Sequence, residues 1–419
     1  MYSAYLKKQA VRPRFFSEPP NPNLGIVVVI PAYNEQTLIP TMESLYCCEL
    51  PQKGVEVIIV FNASENDSKE LTATNQKACK AVEEWCQQLA HAKFSLHIIE
   101  EYSLPKKHAG VGLARKIGMD EAVRRFELLE KDGVIVCFDA DSKCQKNYLV
   151  EIDNHFEWHG KTEACSIHFE HPLEGSAFEQ EVYTGISCYE LHLRYYKNGL
   201  AYANLPYAFH TIGSSMAVRA SAYCKEGGMN KRKAGEDFYF LQKFISKGTL
   251  SELHTTTVFP SPRSSDRVPF GTGRAIKEML EGERAIEFSY AFETFEVLKQ
   301  CFCEVSSWYD DTPKVNPYLL KFMGEESFAK KLAEIRTQSS SREAFVKRFF
   351  QWFNAFQTLK FVHFLRDKFF GMKQLKGASR LLLTALLLDM NDDEVENYGI
   401  NGLLSQFRSI DTHKLPIKN

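Results

Sequence analysis

Two carboxylates one residue apart, Asp139 and Asp141 in Asp139-Ala140-Asp141-Ser142, are the pair in this sequence best suited to chemistry. They follow Gly133-Val-Ile-Val-Cys-Phe138, an apolar β-branched run that reads as a strand, so both stand at a strand end. Carboxylates so placed can approach a hard divalent cation, Mg2+ or Mn2+, together with the phosphate oxygens it bridges. Such a cation stabilises charge developing on a departing diphosphate. The plain alternative, a solvated turn with two acids, is weakened by that strand.

Two more polar clusters close apolar runs. Pro31-Ala32-Tyr33-Asn34-Glu35 follows Gly25–Ile30, where Pro31 is expected to stop the ladder, and Asn62 to Asp67 follows Val55–Phe61. Asn62 and Asp67 could bond a ribose or a base edge, although Asn, Asp and Ser also favour ordinary turns. Coming after consecutive strands, the clusters together favour a nucleotide site. His108-Ala-Gly-Val-Gly112 opens a helix bearing Leu113, Ile117, Ala122 and Phe126. Glycines at such a start let backbone N–H groups approach an anion, and Arg115 and Lys116 could add positive charge, with tight loop geometry as the plain alternative for the glycines. Gly235-Glu236-Asp237-Phe238 opens another helix, with Phe238, Leu241, Phe244 and Ile245 expected on one face. Acids in a first turn suit the helix dipole alone. The sharper reading makes Asp237, with Glu236 beside it, a general base for an acceptor hydroxyl.

The elements that must position these groups follow from periodicity. Four apolar runs, the third at Phe94–Ile99, alternate with helical patterns, which predicts an α/β chain with a mostly parallel, doubly wound, Rossmann-like sheet. Ligands of such sheets bind at the carboxyl ends of the strands. Residues 1–24 lack periodicity and read as a loose arm, 25–300 as the catalytic domain and 301–419 as a helical region. Within the last, 325–372 is helical in pattern, with Val346, Phe349, Phe350, Phe353 and Phe356 forming a core or interface stripe.

The net charge of −2 gives no reason to expect nucleic acid as a partner. Eleven cysteines show no metal-ligand spacing, residues 1–20 hold no apolar leader, and no apolar run reaches spanning length. A cytoplasmic protein with reduced thiols, at most peripheral to a membrane, is expected.

PAYNE at 31–35, NASEND at 62–67, ARKIG at 114–118, DADS at 139–142 and GEDF at 235–238 resemble, in that order, glycosyltransferase family 2, inverting nucleotide-sugar transferases of GT-A fold. The resemblance spans about residues 25–275. It implies a UDP- or GDP-sugar donor, Mn2+ or Mg2+, and a saccharide, lipid-linked or small-molecule acceptor. It implies that Pro31, Ala32, Tyr33 and Glu35 line the nucleotide pocket, that Asp67 approaches the base and that Arg115 reaches the diphosphate edge. Asp139, Ala140 and Asp141 would serve ribose and metal, and Asp237 would be the base; Thr211–Arg219 resembles the segment flanking the donor sugar. The QxxRW motif of processive members is missing, which implies a non-processive, hexosyltransferase-like enzyme. Relatives often place a metal-binding histidine after the acidic helix. His254 is the nearest candidate here, with a satisfied strand histidine as the alternative. Arg263 to Arg267 and Pro269 to Arg274 are expected to form a basic lid over the diphosphate. His168-Phe-Glu-His171 reads as acceptor contacts or loop polarity. A catalytically silent sugar- or partner-binding protein on this scaffold and a retaining enzyme stand as the alternatives. A nucleotidyltransferase is disfavoured, because it would need a Gly-rich loop where PAYNE stands.

Overall fold

The first strand, β1 (Leu24–Ala32), is buried at all nine positions, as an apolar run covered on both faces must be. The computed structural model that contains it describes residues 2–89, 91–269, 271–311, 314–387 and 392–413. Around β1 in chain order stand α1 (Ser3–Gln9), α2 (Ile39–Tyr46), β2 (Gly54–Ser64), α3 (Lys69–Gln88), β3 (Ser95–Leu104) and α4 (Val111–Leu129). There follow β4 (Val134–Cys137), β5 (Lys143–Cys144), α5 (Tyr148–Trp158), β6 (Ala164–Phe169), α6 (Gln180–Tyr202), β7 (Met216–Arg219), α7 (Ala220–Lys225), α8 (Glu236–Ile245) and β8 (Leu250–Phe259).

These strands form one eight-stranded sheet in the order β3-β2-β1-β4-β7-β6-β8-β5. The run β3-β2-β1-β4 is parallel throughout, β6 and β8 are parallel, and β7 and β5 pair antiparallel to their neighbours. The chain steps outward from β1 to β2 to β3, then returns across β1 to reach β4. Right-handed crossovers therefore place α4 on the face opposite α2 and α3. The reversal leaves a crevice at the carboxyl ends of β1 and β4, the place where open α/β sheets bind ligands.

The expected ladder stop at Pro31 differs from what is found. Pro31 pairs with Val60, and β1 runs on to Ala32 against Phe61. The missing N–H faces β4, whose pairing with β1 has already ended at Val29 and Cys137.

Residues 2–24, expected within a loose arm, are docked. Tyr5 is buried and its hydroxyl donates to Asp120 at 2.7 Å. Arg12 bonds Glu101 at 2.8 and 3.1 Å, and the N–H groups of Phe15 and Phe16 donate to Glu121. This segment covers the outer side of α4, which explains why Asp120, Glu121 and Arg125 on that helix are buried.

The chain divides into two compact units, 1–178 with 211–277 and 179–210 with 278–419, so the boundary expected at 300 lies elsewhere. Ion pairs far apart in sequence carry α6 into the second unit. Arg194 and Lys197 bond Asp411 at 2.5 and 3.0 Å, and Arg408 bonds Glu190 at 2.8 Å.

The helical stripe at 325–372 is broken into Glu325–Thr337, Arg342–Trp352 and Ala355–Leu365. Asn354 caps the last of these, accepting from Phe356 and Gln357 at 3.0 and 3.1 Å, which leaves Phe349 and Phe353 buried and Phe356 exposed. Among the described residues no helix is long and apolar enough to cross a membrane.

Candidate active site at the strand tips

β4 ends at Cys137, and the turn after it sends its two acids to different partners. The carbonyl of Ala140 between them is held by the Thr41 hydroxyl at 2.8 Å. Asp139 pairs with Arg115, which also pairs with Glu236. Asp141 pairs with Arg263 at 2.6 Å. Arg263 reaches Glu35 as well, at 2.5 and 2.9 Å, and Arg267 joins Glu35 and the Tyr33 carbonyl. Two ionic clusters thus meet at the strand tips.

Asp237 borders the first cluster. It opens α8 beside Glu236, accepts from the Phe238 N–H at 2.7 Å and feels both Arg115 and Asp139. Burial raises its pKa, with Arg115 opposing. Burial also pushes the Glu236 carboxyl up to about 7, against the pull of Arg115. Asp141 is pushed up to about 6, chiefly by burial, with Asp139 and Glu35 adding repulsion that Arg263 and Arg267 only partly offset. Five carboxylates (Glu35, Asp139, Asp141, Glu236, Asp237) against three guanidiniums (Arg115, Arg263, Arg267) leave a formal charge of −2. A cation would relieve that excess.

Several expected site residues have other partners. Arg115 is 2% exposed and bridges two acids, an internal position rather than an open diphosphate edge. Glu236 is equally buried against it, which suits positioning better than catalysis. Asn62 is buried, donating to the Ala32 and Val60 carbonyls while Asn75 bonds its own carbonyl at 2.9 Å. Its amide joins the ends of β1 and β2 and is not turned to a ribose. Asp67 accepts from the Ser64 N–H at 2.7 Å and interacts with the Tyr33 phenol, whose pKa is raised by burial and then by Asp67. Pro31 and Ala32 lie within β1 itself.

Gly112 is required by packing. A Cβ there would lie 2.3 Å from the Arg232 carbonyl oxygen, so residues 230–233 cross the start of α4 where an open anion site was expected. The same crossing sets the approach to α8, because the Asn230 amide donates to the Glu236 carbonyl at 2.9 Å.

His254 departs most from expectation. It sits inside β8, with its ring centroid 6.3 Å from that of His168 and its Nε2 3.9 Å from Glu252. Phe259, at the end of β8, pairs with Lys143 just after the two acids. His254 lies five residues back in β8, ahead of the irregular stretch where the pairing with β6 steps from Ile167–Leu253 to Phe169–Val258. Among the described residues no group of three or more His, Cys, Asp or Glu side chains could hold a metal. His168 bonds Glu170 at 2.9 Å, and the Glu170 N–H donates to the Val258 carbonyl near the end of β8.

The basic loop after β8 does lie over this site through Arg263 and Arg267, although Phe270 falls outside the described residues. Sequence reasoning missed Thr41 and Asn75, neither of which stands in a pattern that marks it beforehand. Gly213 was marked only as part of Thr211–Arg219, and a Cβ on it would come within 2.5 Å of the Arg115 guanidinium.

Comparison with known proteins bears on this arrangement. Residues 27–223 match the profile of glycosyl transferase family 2. No curated protein matches the chain. Among solved structures, S. aureus TarS 1-349 in complex with UDP is similar at 13% identity and a TM-score of 0.38, covering 93% of this chain and 91% of that one. Mannosyltransferase PcManGT from Pyrobaculum calidifontis, in complex with GDP-Man and Mn2+, is similar at 15% identity and a TM-score of 0.35, covering 87% and 90%. The mostly parallel α/β sheet followed by helices is the architecture that the sequence resemblance led one to expect. Residues 27–223, which carry the acids of PAYNE and DADS at this crevice, match glycosyl transferase family 2, and the acids of GEDF reach the same crevice from beyond that segment.

Proposed function

We propose that the chain transfers a hexose-like sugar, with inversion and without processivity, from a UDP- or GDP-sugar to a hydroxyl acceptor. The observation that carries this reading is the cluster of five acids and three arginines at the β1–β4 crevice, with its residual charge of −2. Asp237 takes the acceptor hydroxyl proton as the acceptor oxygen bonds the anomeric carbon. The bond from that carbon to the diphosphate oxygen breaks in the same step, and its electron pair leaves with the nucleoside diphosphate. One in-line displacement inverts the anomeric configuration.

Asp141 and Asp139 are the residues that would hold Mn2+ or Mg2+. The chain offers two carboxylates, which suits an ion whose other ligands are donor phosphates and water. Such an ion would neutralise charge on the leaving diphosphate. Arg263 and Arg267, which close on Glu35 and Asp141, carry guanidiniums able to turn to the same diphosphate. Arg115 holds Asp139 and Glu236 and so fixes the start of α8, on which Asp237 stands.

One observation favours a second reading. Each acid of the 139–141 pair already has an arginine partner, which suits a silent nucleotide-binding scaffold as well. Nucleoside diphosphate release from a panel of UDP- and GDP-sugars, with Mn2+ and with a chelator, separates the two. Turnover that needs the metal supports the transferase. Metal-dependent nucleotide binding with no turnover on any donor and acceptor supports the scaffold. NMR of the product anomer then tests inversion.

A further inference from the structure

Lys8, Arg12, His108, Lys116 and Lys231 gather around a cavity of about 410 Å³ beside α4. It opens on a different side of that helix from Arg115, because consecutive helical residues point about 100° apart. A cavity of a few hundred Å³ suits a small organic ligand. Two of its cations are matched by acids: Arg12 bonds Glu101, and Lys116 lies 3.3 Å from Asp120 and 2.8 Å from the Tyr5 hydroxyl. Lys8 and Lys231 are exposed and have no ion-pair partner among the described residues, so four cations face two carboxylates. Lys116 is only 3% exposed, so an anion entering would meet one cation already stripped of water. Lys8–Arg12 and Gly227–Lys231 fall outside the family segment 27–223, which supplies only Pro105, His108, Leu113 and Lys116 to the wall.

We propose that this cavity binds a phosphate-bearing ligand, a phosphomonoester or a diphosphate, at a site separate from the nucleotide-sugar crevice. The inference goes beyond the transferase reading and does not depend on it. Asn230 in the cavity wall bonds the Glu236 carbonyl, so a ligand there lies one hydrogen bond from the residue preceding Asp237.

The test titrates pyrophosphate into the full chain by calorimetry, with a chelator present to keep divalent cations from the crevice. Saturable binding is expected, weakened roughly tenfold or more in Lys8→Ala/Lys231→Ala. Both substitutions are of exposed side chains, and UDP binding with Mn2+ should be unchanged. Sedimentation with phosphatidic acid in phosphatidylcholine vesicles identifies the source. Capture that needs Lys8 and Lys231 assigns a lipid headgroup, and soluble binding alone assigns a free phosphate compound. Absence of saturable binding, equal affinity in the double variant, or displacement of pyrophosphate by UDP would each overturn the proposal.

Discussion

At the scale of single residues, the site separates side chains that touch substrate from those that hold other side chains. Asp237 is half-buried at the head of α8, close enough to Asp139 and Arg115 to feel both. Asp237→Asn keeps the volume and removes the base. Turnover should fall by about 10²–10⁴-fold while UDP or GDP with Mn2+ still raises the melting temperature as in the unchanged chain. Unaltered turnover would remove Asp237 from the mechanism. Arg263 pairs with both Glu35 and Asp141, and Arg267 pairs with Glu35. Arg263→Ala/Arg267→Ala should raise donor KM about tenfold or more and leave acceptor KM nearly fixed, as loss of diphosphate contacts requires. A donor KM that does not move makes these arginines a structural tie only. The motif residues themselves were legible in the sequence because strand ends expose polar groups in a fixed place. Their partners were not. Arg115 finds Glu236 across 121 positions, and nothing local to either announces the pairing.

Elements set how tightly those residues are held. The loop 230–233 crosses the first turn of α4 only because Gly112 has no Cβ. Gly112→Ala would place a methyl 2.3 Å from a backbone oxygen and must push the loop or the helix aside. Overpacking of this kind costs about 1–3 kcal/mol. The prediction is a lower melting temperature together with a kcat loss larger than any change in donor KM, because the displaced loop leads directly to Glu236 and Asp237. A stability loss with kcat intact would uncouple the loop from catalysis. The sequence marked Gly112 as special without deciding between an anion site and tight loop geometry. A glycine that admits a phosphate and one that admits a peptide carbonyl look alike until the neighbouring chain is in place. Pro31 teaches the same point, since its missing N–H matters only on the side where β4 has ended.

Across the whole molecule, both units carry buried histidines that resist protonation. His155 in the first unit bonds the Ser251 hydroxyl at 2.7 Å, and burial, helped by His159, lowers its pKa to about 4. His192 in the second bonds Ser289 at 2.8 Å and is lowered to about 4 by burial and Arg284. A folded pKa below the unfolded value of about 6.5 means that the unfolded chain binds the proton more readily. Stability is therefore complete above pH ~6.5 and falls as pH drops towards 4, by about 1–3 kcal/mol for each histidine. Asp411, held well below the ordinary carboxylate range despite its burial by Lys197, His210 and Arg194, adds a further loss only at still lower pH. Melting temperatures measured from pH 7.5 to 4.5 should decline, and His155→Gln/His192→Gln should flatten that decline. A profile equally steep in the double variant would assign the loss to other groups.

Periodicity and strand-end chemistry are properties of neighbouring residues, so the amino-acid order alone determined the α/β class, the first four strands and the acids at their tips. What it could not determine is which distant charge each acid meets. The division of Asp139 and Asp141 between two arginine clusters, the place of His254 within β8, the docking of residues 2–24 and the assignment of α6 to the second unit all depend on contacts between positions far apart in sequence. Such contacts form only when burial makes an unpaired charge intolerable, and burial is decided by the folded chain as a whole.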